Sequence, residues 1–327
     1  MASTRSLVQE SIIGAGLGLN EYAVTSMRSH VTCTCPAKLN LALAVDAAEP
    51  GGLHPIASWM VTVDFADDLA VTMLEEGYLS RYAVIWHEDA PQMSEIDWSI
   101  TDDLAVRAHM ALEAHVGRSL PVQVKLEKRI PVGGGLGGGS ADAAGMLRAV
   151  NRLFDLGLDT SELESIGLGL GSDVPFMIRG GSAIVTGVGE TLEYHDQVPD
   201  FKAVLVLPEF SCSTGAVYKA FDEGAAGPFR SEAVAGAISS QPDPSLFFND
   251  LAEPAMRVAP QLSGLMESVE AMAEAPVHVS GSGSTLFVPC TDALHAGALS
   301  TAVSEQLGVA AVAVSARAIE TELMESI

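Results

Sequence analysis

The 327-residue sequence is poor in positive charge. Lys and Arg number 17 against 42 Asp and Glu, which gives a net charge of −25. Because nucleic acids and anionic membranes are themselves negative, nonspecific attraction to either is disfavoured. We therefore expect a small-molecule partner and no binding to nucleic acid or membrane; the sequence leaves the oligomeric state open.

Cysteine is scarce as well. The four cysteines form no C-x-x-C pair and no cluster with histidine at metal-ligand spacing. This pattern favours unreactive thiols in a reducing compartment, so we expect a cytoplasmic protein. No run of apolar residues approaches the roughly 20 needed to cross a bilayer. Residues 1–30 are expected to form an N-terminal extension.

Glycine, in contrast, is concentrated in one place. Residues 130–147 read IPVGGGLGGGSADAAGML, with six glycines in seven positions. Glycine permits positive φ and lets a ligand approach the backbone amides closely, at a cost in folding entropy. The run lies between a strand pattern over 121–130 and a helix pattern that reaches Phe154, and Ser140 is expected to cap that helix. A loop of this kind ahead of a helix predicts a phosphate-binding site, because the free amides at a helix start attract anions.

Two other types of phosphate-binding loop also contain closely spaced glycines. A Walker A loop is disfavoured because no lysine follows the last glycine. A dinucleotide-binding loop would use Gly133, Gly135 and Gly138 as G-x-G-x-x-G, with Asp155 or Asp159 near the ribose, and it stays open at this point.

The remaining pattern alternates strands and helices and predicts an α+β fold. Asp173 is followed closely by Pro175, so the preceding helix pattern should stop, and residues 176–178 are expected to be extended. Further elements are expected as follows: strands over 31–45, 61–72 and 201–208, helices over 102–116 and 250–273, a strand–turn–strand over 278–288, and a final helix and strand.

Three blocks occur in a fixed order: PAKLNLAL at 36–43, PVGGGLGGGSADAA at 131–144 and VSGSGSTLF at 279–287. Together they resemble the GHMP superfamily of small-molecule kinases, which contains galactokinase, homoserine kinase and mevalonate kinase. An LGSDVPF block that contains Asp173 makes the chain most similar to the 4-diphosphocytidyl-2-C-methyl-D-erythritol kinases, over about residues 31–320.

This resemblance implies a two-domain α+β architecture. The ATP-binding domain, like domain 2 of ribosomal protein S5, would span residues 31–185, and a ferredoxin-like C-terminal domain would span 186–327. The implied activity is ATP-dependent, Mg²⁺-assisted phosphorylation of the 2-hydroxyl of 4-diphosphocytidyl-2-C-methyl-D-erythritol, a step of non-mevalonate isoprenoid (terpenoid) biosynthesis.

The resemblance also implies roles for individual residues. Lys38 and Asp173 would be catalytic, Asn40, His54 and Tyr218 would bind the substrate, and the Ser140 hydroxyl would contact phosphate or Mg²⁺. The residues implied in ATP binding are Pro131, Gly133, Gly134, Gly135, Leu136, Gly137, Gly138, Gly139 and Ser140.

Two positions depart from the family pattern. Leu53 stands where the family usually has a tyrosine that covers the cytosine, and Asp103 replaces a common asparagine. An aliphatic side chain covers a ring with less stacking preference. The alternatives are therefore another GHMP-type kinase, acting on homoserine, mevalonate or a sugar, a catalytically idle nucleotide-binding relative, and a nicotinamide-binding protein.

Overall fold

The computed structural model describes residues 29–224, 227–319 and 324–326. Residues 1–28, nearly all of the expected N-terminal extension, lie outside this part of the chain. The first half contains these elements: β1 (His30–Val45), β2 (Ile56–Met73), β3 (Arg81–Trp86), α1 (Leu104–Val116), β4 (Val122–Lys128), α2 (Gly138–Leu153), α3 (Thr160–Leu168), α4 (Val174–Arg179), β5 (Ser182–Gly187) and β6 (Thr191–Tyr194).

The second half begins with a strand and alternates short strands with helices. Its elements are β7 (Lys202–Leu207), α5 (Thr214–Asp222), α6 (Ser231–Ala237), β8 (Phe248–Asn249), α7 (Ala252–Val258), α8 (Gln261–Ala273), β9 (His278–Val279), β10 (Leu286–Cys290), α9 (Ala293–Leu307), β11 (Ala310–Ser315) and β12 (Met324–Ser326). Within the described ranges, no helix is both long and apolar enough to span a bilayer.

The larger sheet has the strand order β12-β1-β2-β4-β3, with the β5–β6 hairpin on β2 and β8 on β1. Most pairs are antiparallel, while β3–β4 and β1–β8 are parallel. The register between β1 and β2 shifts between Pro36 and Lys38 and again between Asn40 and Ala42. Such irregularities re-aim side chains, and these two flank the lysine and asparagine of the first sequence block.

The smaller sheet has the order β11-β7-β10-β9 and is antiparallel throughout. Its elements follow in the order strand, helices, two strands, helix, strand, which is the ferredoxin-like pattern. The predicted α+β class with two different sheets is therefore confirmed. Residue 185 lies inside β5, and the larger sheet continues to β6, so the exact division into domains stays a prediction.

The two sheets share a core. Trp59 of β2 and Phe287 of β10 are fully buried in one apolar cluster together with residues of β1, β7 and β11. A second cluster fills the space between the larger sheet and helices α1 to α4, and a third lies between the smaller sheet and helices α5 and α7 to α9. The loops between β4 and α2 and between β9 and β10 are thus supported by packed elements on both sides.

Three local predictions differ from the structure. Helix α2 begins at Gly138 with Gly137 at the cap position, so Ser140 lies in the first turn and does not cap the helix. Residues 176–178 are helical, because Pro175 occupies the first turn of α4, where a missing amide hydrogen costs nothing. The predicted helix over 250–273 is divided into α7 and α8 at Ala259 and Pro260, since the residue before a proline disfavours helical geometry.

Candidate active site

A cavity of about 510 Å³ lies beside the glycine loop, residues 129–137, which joins β4 to α2. Its wall includes residues of β1, the loop, the start of α4, helix α5 and the second glycine turn, residues 280–284 between β9 and β10. Thirteen of the fourteen predicted site residues line it: Lys38, Asn40, Pro131, Gly133, Gly134, Gly135, Leu136, Gly137, Gly138, Gly139, Ser140, Asp173 and Tyr218. His54 is not part of this lining.

Glycine is required in the loop by geometry as well as by close packing. Gly135 has φ of 77°, and a Cβ there would lie 2.2 Å from the Ser280 carbonyl oxygen. Gly137 has φ of 70°, and a Cβ there would lie 3.0 Å from Cγ of Lys38. Larger residues would therefore force the loop away from both the second glycine turn and the lysine.

Backbone hydrogen bonds fix the loop in this position. The Lys38 amide donates to the Leu136 carbonyl at 2.9 Å, which fastens the loop to β1. The Thr285 amide donates to the Gly134 carbonyl at 3.1 Å, and the Ser280 hydroxyl donates to the Gly135 carbonyl at 3.1 Å. Since these bonds occupy carbonyl groups, the loop keeps amides available for an anion at the start of α2.

Lys38 and Asp173 form an ion pair in the wall of the cavity. Lys38 is 4% exposed, and its Nζ donates to Asn40 Oδ1 at 2.6 Å and lies 3.5 Å from Asp173 Oδ2. Asn40 in turn donates from Nδ2 to the Ser58 hydroxyl at 2.8 Å, which holds its oxygen toward the lysine. A buried ammonium beside a carboxylate at a helix start can orient a hydroxyl group and stabilise phosphoryl oxygens.

The far end of the cavity is formed by Tyr218 of α5, which packs against His54. Their ring centroids lie 4.9 Å apart, and the His54 Nδ1 lies 2.9 Å from the Asp46 carbonyl oxygen. The Nε2 atom lies 3.5 Å from Asp222 Oδ2. Burial raises the pKa of the Tyr218 phenol to about 12, with a smaller contribution from the charge of Asp173, so the phenol stays protonated near neutral pH. We call His54, Tyr218 and the exposed Leu53 the acceptor end, after the role that the sequence resemblance implies for these positions; of the three, only Tyr218 lines the cavity.

Sequence reasoning missed several polar residues of the wall. Trp98, Asp103, Lys128 and Asp142 all line the cavity near the start of α2. Asp103 caps α1 by accepting from the Ala105 amide at 2.9 Å, and it also accepts from Trp98 Nε1 at 3.2 Å. Lys128 was detectable, because it occupies the buried phase of β4, where alternation calls for an apolar residue.

The donor atoms do not form a dedicated metal cage. Within the described residues, no three His, Cys, Asp or Glu side chains are grouped as metal ligands. This fits Mg²⁺ that arrives with a nucleotide, because Mg²⁺ keeps several waters and takes phosphate oxygens with one or two protein oxygens. Ser140 and Asp173 both line the cavity and offer such oxygens.

A dinucleotide-binding site is not compatible with this structure. The strand that leads into the glycine loop, β4, pairs antiparallel with β2 in a largely antiparallel sheet. A dinucleotide-binding site requires a parallel sheet. Asp159 caps α3 by accepting from the Glu162 amide, and neither it nor Asp155 lines the cavity.

Comparison with known proteins agrees with this geometry. A sequence profile described as the GHMP kinases N terminal domain matches residues 103–181. The solved homoserine kinase from Cytophaga hutchinsonii, 14% identical, has a TM-score of 0.63 and covers 93% of this chain and 100% of its own. At that identity the likeness shows the fold alone. The chain has the fold and the loop blocks of a GHMP kinase.

Closer relatives narrow the family. A 4-diphosphocytidyl-2-C-methyl-D-erythritol kinase from Streptomyces coelicolor is 37% identical over 274 residues, which cover 81% of this chain and 89% of the relative. One from Desulfitobacterium hafniense is 35% identical over 80% of this chain and 87% of the relative. A crystal structure of a 4-(cytidine 5'-diphospho)-2C-methyl-D-erythritol kinase is 30% identical, with a TM-score of 0.69 over 87% of this chain and 98% of its own. The chain belongs to the 4-diphosphocytidyl-2-C-methyl-D-erythritol kinase family.

Proposed function

We propose that this protein transfers the γ-phosphoryl group of ATP to the 2-hydroxyl of 4-diphosphocytidyl-2-C-methyl-D-erythritol, a step toward isoprenoid precursors. The observation that carries the proposal is the Lys38–Asp173 pair, 3.5 Å apart, in the same cavity as the glycine loop and Tyr218. Family membership supports the choice of acceptor over homoserine, mevalonate or a sugar.

In this reaction the amides of the loop and of the first turn of α2 would bind the phosphates. Asp173 would accept the hydroxyl proton as the acceptor oxygen bonds to the γ-phosphorus and the bond to the β,γ-bridging oxygen breaks, which releases ADP. Lys38, fixed by Asn40, would stabilise the negative oxygens of the moving group. The Ser140 hydroxyl and the Asp173 carboxylate would hold Mg²⁺ together with phosphate oxygens, and the ion would supply further neutralisation of phosphate charge.

His54 and Tyr218 would recognise the cytidyl part. Tyr218 presents its ring to the cavity and is supported from behind by the His54 ring. His54 itself would reach the base only if its contact with Asp222 opened, because it is not part of the lining. The four cysteines are free thiols, which supports a reducing location, and we place the enzyme in the cytoplasm.

The test is ADP release with Mg-ATP and the cytidyl substrate, with homoserine and mevalonate in parallel. We expect release with the cytidyl substrate alone, and ³¹P spectra should show a new phosphomonoester on the 2-hydroxyl. Release with either other acceptor would transfer the proposal to a sister kinase. No release with any acceptor, while ATP still binds, would identify a catalytically idle relative.

A further inference from the structure

Three charged side chains are buried together beneath the glycine loop. Asp67 of β2 is 0% exposed, Lys128 at the end of β4 is 3% exposed and Asp142 of α2 is 2% exposed. We call them the charge cluster. Charged side chains are rarely this buried, and their desolvation costs several kcal/mol per ion, so the arrangement costs stability that apolar residues would not.

The charge cluster connects the two ends of the loop. Lys128 Nζ donates to Asp67 Oδ2 at 2.7 Å and to Asp142 Oδ2 at 2.5 Å. Asp67 Oδ1 accepts from the backbone amides of Arg129 at 2.5 Å and Ile130 at 2.8 Å. Since Arg129 and Ile130 begin the loop and Asp142 lies in the second turn of α2, just after the loop ends, a single ammonium group holds both ends at a fixed separation.

The positive charge of the cluster is maintained by its contacts with the two carboxyl groups. Burial alone would lower the pKa of Lys128, but the charges of Asp142 and Asp67 outweigh it and raise that pKa, so the ammonium stays protonated. Burial raises the pKa of Asp142 well above its usual range, and the charge of Lys128 offsets only part of that increase. Asp142 Oδ1 is buried with no hydrogen-bond partner in the described parts of the chain, so Lys128 alone holds this carboxylate in place.

Asp67 differs from its two partners in one respect. Lys128 and Asp142 line the cavity, whereas Asp67 does not. A nucleotide in the cavity therefore does not contact Asp67 directly, and any effect of Asp67 on nucleotide binding must pass through the loop or through Lys128 and Asp142.

We propose that Asp67 is a positioning residue for ATP: through Lys128, Asp142 and the Arg129 and Ile130 amides it sets the separation of the loop's two ends, and so the direction in which the loop amides point. This inference rests on the proposed function only in taking ATP as the ligand. It does not depend on which acceptor is phosphorylated.

The experiment compares Asp67→Asn with Asp68→Asn. Asp68 is the adjacent residue and pairs with Arg129 at 2.8 Å, but its side chain is 45% exposed and lies outside the cavity lining, which makes it a matched control. Binding of ADP and of a non-hydrolysable ATP analogue is measured by titration calorimetry on the full chain. Asp67→Asn should weaken both by about 10-fold, since an amide cannot accept from Lys128 and from two backbone amides together, while Asp68→Asn should stay within about twofold.

Steady-state kinetics and amide hydrogen exchange distinguish an effect of Asp67 on the position of the loop from an effect on the stability of the protein alone. In Asp67→Asn, the KM for ATP should rise about as much as the dissociation constant, and the KM for the acceptor should change less than twofold, with faster amide exchange over residues 130–140. A lower Tm with unchanged ATP affinity in Asp67→Asn would overturn the proposal. If that variant does not fold, Asp67→Glu decides, because it keeps the carboxylate and its charge but displaces the oxygens by one methylene; unchanged ATP affinity there would also overturn the proposal. Failure of the wild type to bind ADP would instead contradict the proposed function.

Discussion

The two ends of the cavity differ in the atoms that they offer to a ligand. The glycine loop and the second glycine turn present backbone atoms, held by bonds such as the 3.1 Å contact from the Thr285 amide to the Gly134 carbonyl. The acceptor end presents side chains from separate elements, with Leu53 61% exposed and Tyr218 packed on His54. Backbone positions are set by the fold, whereas side-chain recognition changes with each substitution.

This difference indicates which part of the cavity binds the group common to all nucleotides and which part selects the acceptor. A phosphate chain is the same in every nucleoside triphosphate substrate, and a rigid loop of amides suits it. An acceptor differs from one GHMP kinase to another, and the residues that read it vary accordingly. In this chain, the position at which the resemblance implies a tyrosine holds Leu53 and belongs to the acceptor end, whereas the glycine-rich blocks of the resemblance are all present.

The largest expected effect comes from the residue that stands between the two ends. Asp173→Asn should lower kcat by about 10³-fold, because the amide cannot accept the hydroxyl proton, while binding of ADP should change little. Coupled ADP-release kinetics and calorimetry measure the two quantities. Asp159→Asn, at the cap position of the neighbouring helix α3, is the control and should keep full kcat. A kcat of Asp173→Asn within tenfold of the wild type would remove Asp173 from the reaction.

The next largest effect is expected in the glycine loop. Gly135→Ala should weaken ATP binding by about 10² or more, because φ is 77° and the new Cβ would lie 2.2 Å from the Ser280 carbonyl oxygen. The strain should also lower the free energy of unfolding by about 1–3 kcal/mol. Gly139→Ala is the matched control: a Cβ there would meet only the side chain of Leu104, with the nearest atom at 3.2 Å. Equal ATP affinities of the two variants would show that loop geometry does not control binding.

A smaller effect, on the KM for the cytidyl substrate, is expected at the acceptor end. Leu53→Tyr should lower the KM for the cytidyl substrate by about 5-fold, since stacking of a base on an aromatic ring is worth about 1–3 kcal/mol. The KM for ATP should not change. Leu79→Tyr repeats the substitution at a second exposed leucine that, like Leu53, lies outside the cavity lining but is not part of the acceptor end, and it should leave both constants unchanged. An unchanged or higher KM in Leu53→Tyr would place the cytidyl group elsewhere.

The glycine loop was predicted better than the rest of the site because its residues are contiguous in the sequence. The run from Pro131 to Ser140 forms one loop and one helix start, so its composition alone indicated an anion site. The charge cluster was not predicted, since Asp67 and Lys128 come from strands β2 and β4 and meet only through sheet pairing. The place of His54 behind Tyr218 depends on the packing of α5, which local patterns do not determine.

The smallest effect on ligand binding is expected at the support of the second glycine turn, where the predicted change is in stability. His278 directly precedes Val279 and this turn, and its ring stacks on Phe287 with centroids 5.2 Å apart. Burial lowers the pKa of His278 to about 4, and its Nε2 atom has no hydrogen-bond partner among the described residues. The imidazole is therefore neutral in the folded protein down to mildly acidic pH.

The sign of the pH dependence follows from this depressed pKa. An unfolded histidine titrates near about 6.5, so between about pH 6.5 and 4 the unfolded chain binds more protons than the folded one, and stability falls as the pH decreases. The loss from this group should be about 2–3 kcal/mol and should be complete below about pH 4. Urea unfolding at pH 7 and pH 4.5 measures it. His278→Phe should remove this part of the slope, whereas His295→Phe, at a partly exposed histidine of α9, should retain it. Equal slopes in all three proteins would mean that His278 is reached by water before unfolding, and the turn that holds Gly135 would then open locally at acidic pH.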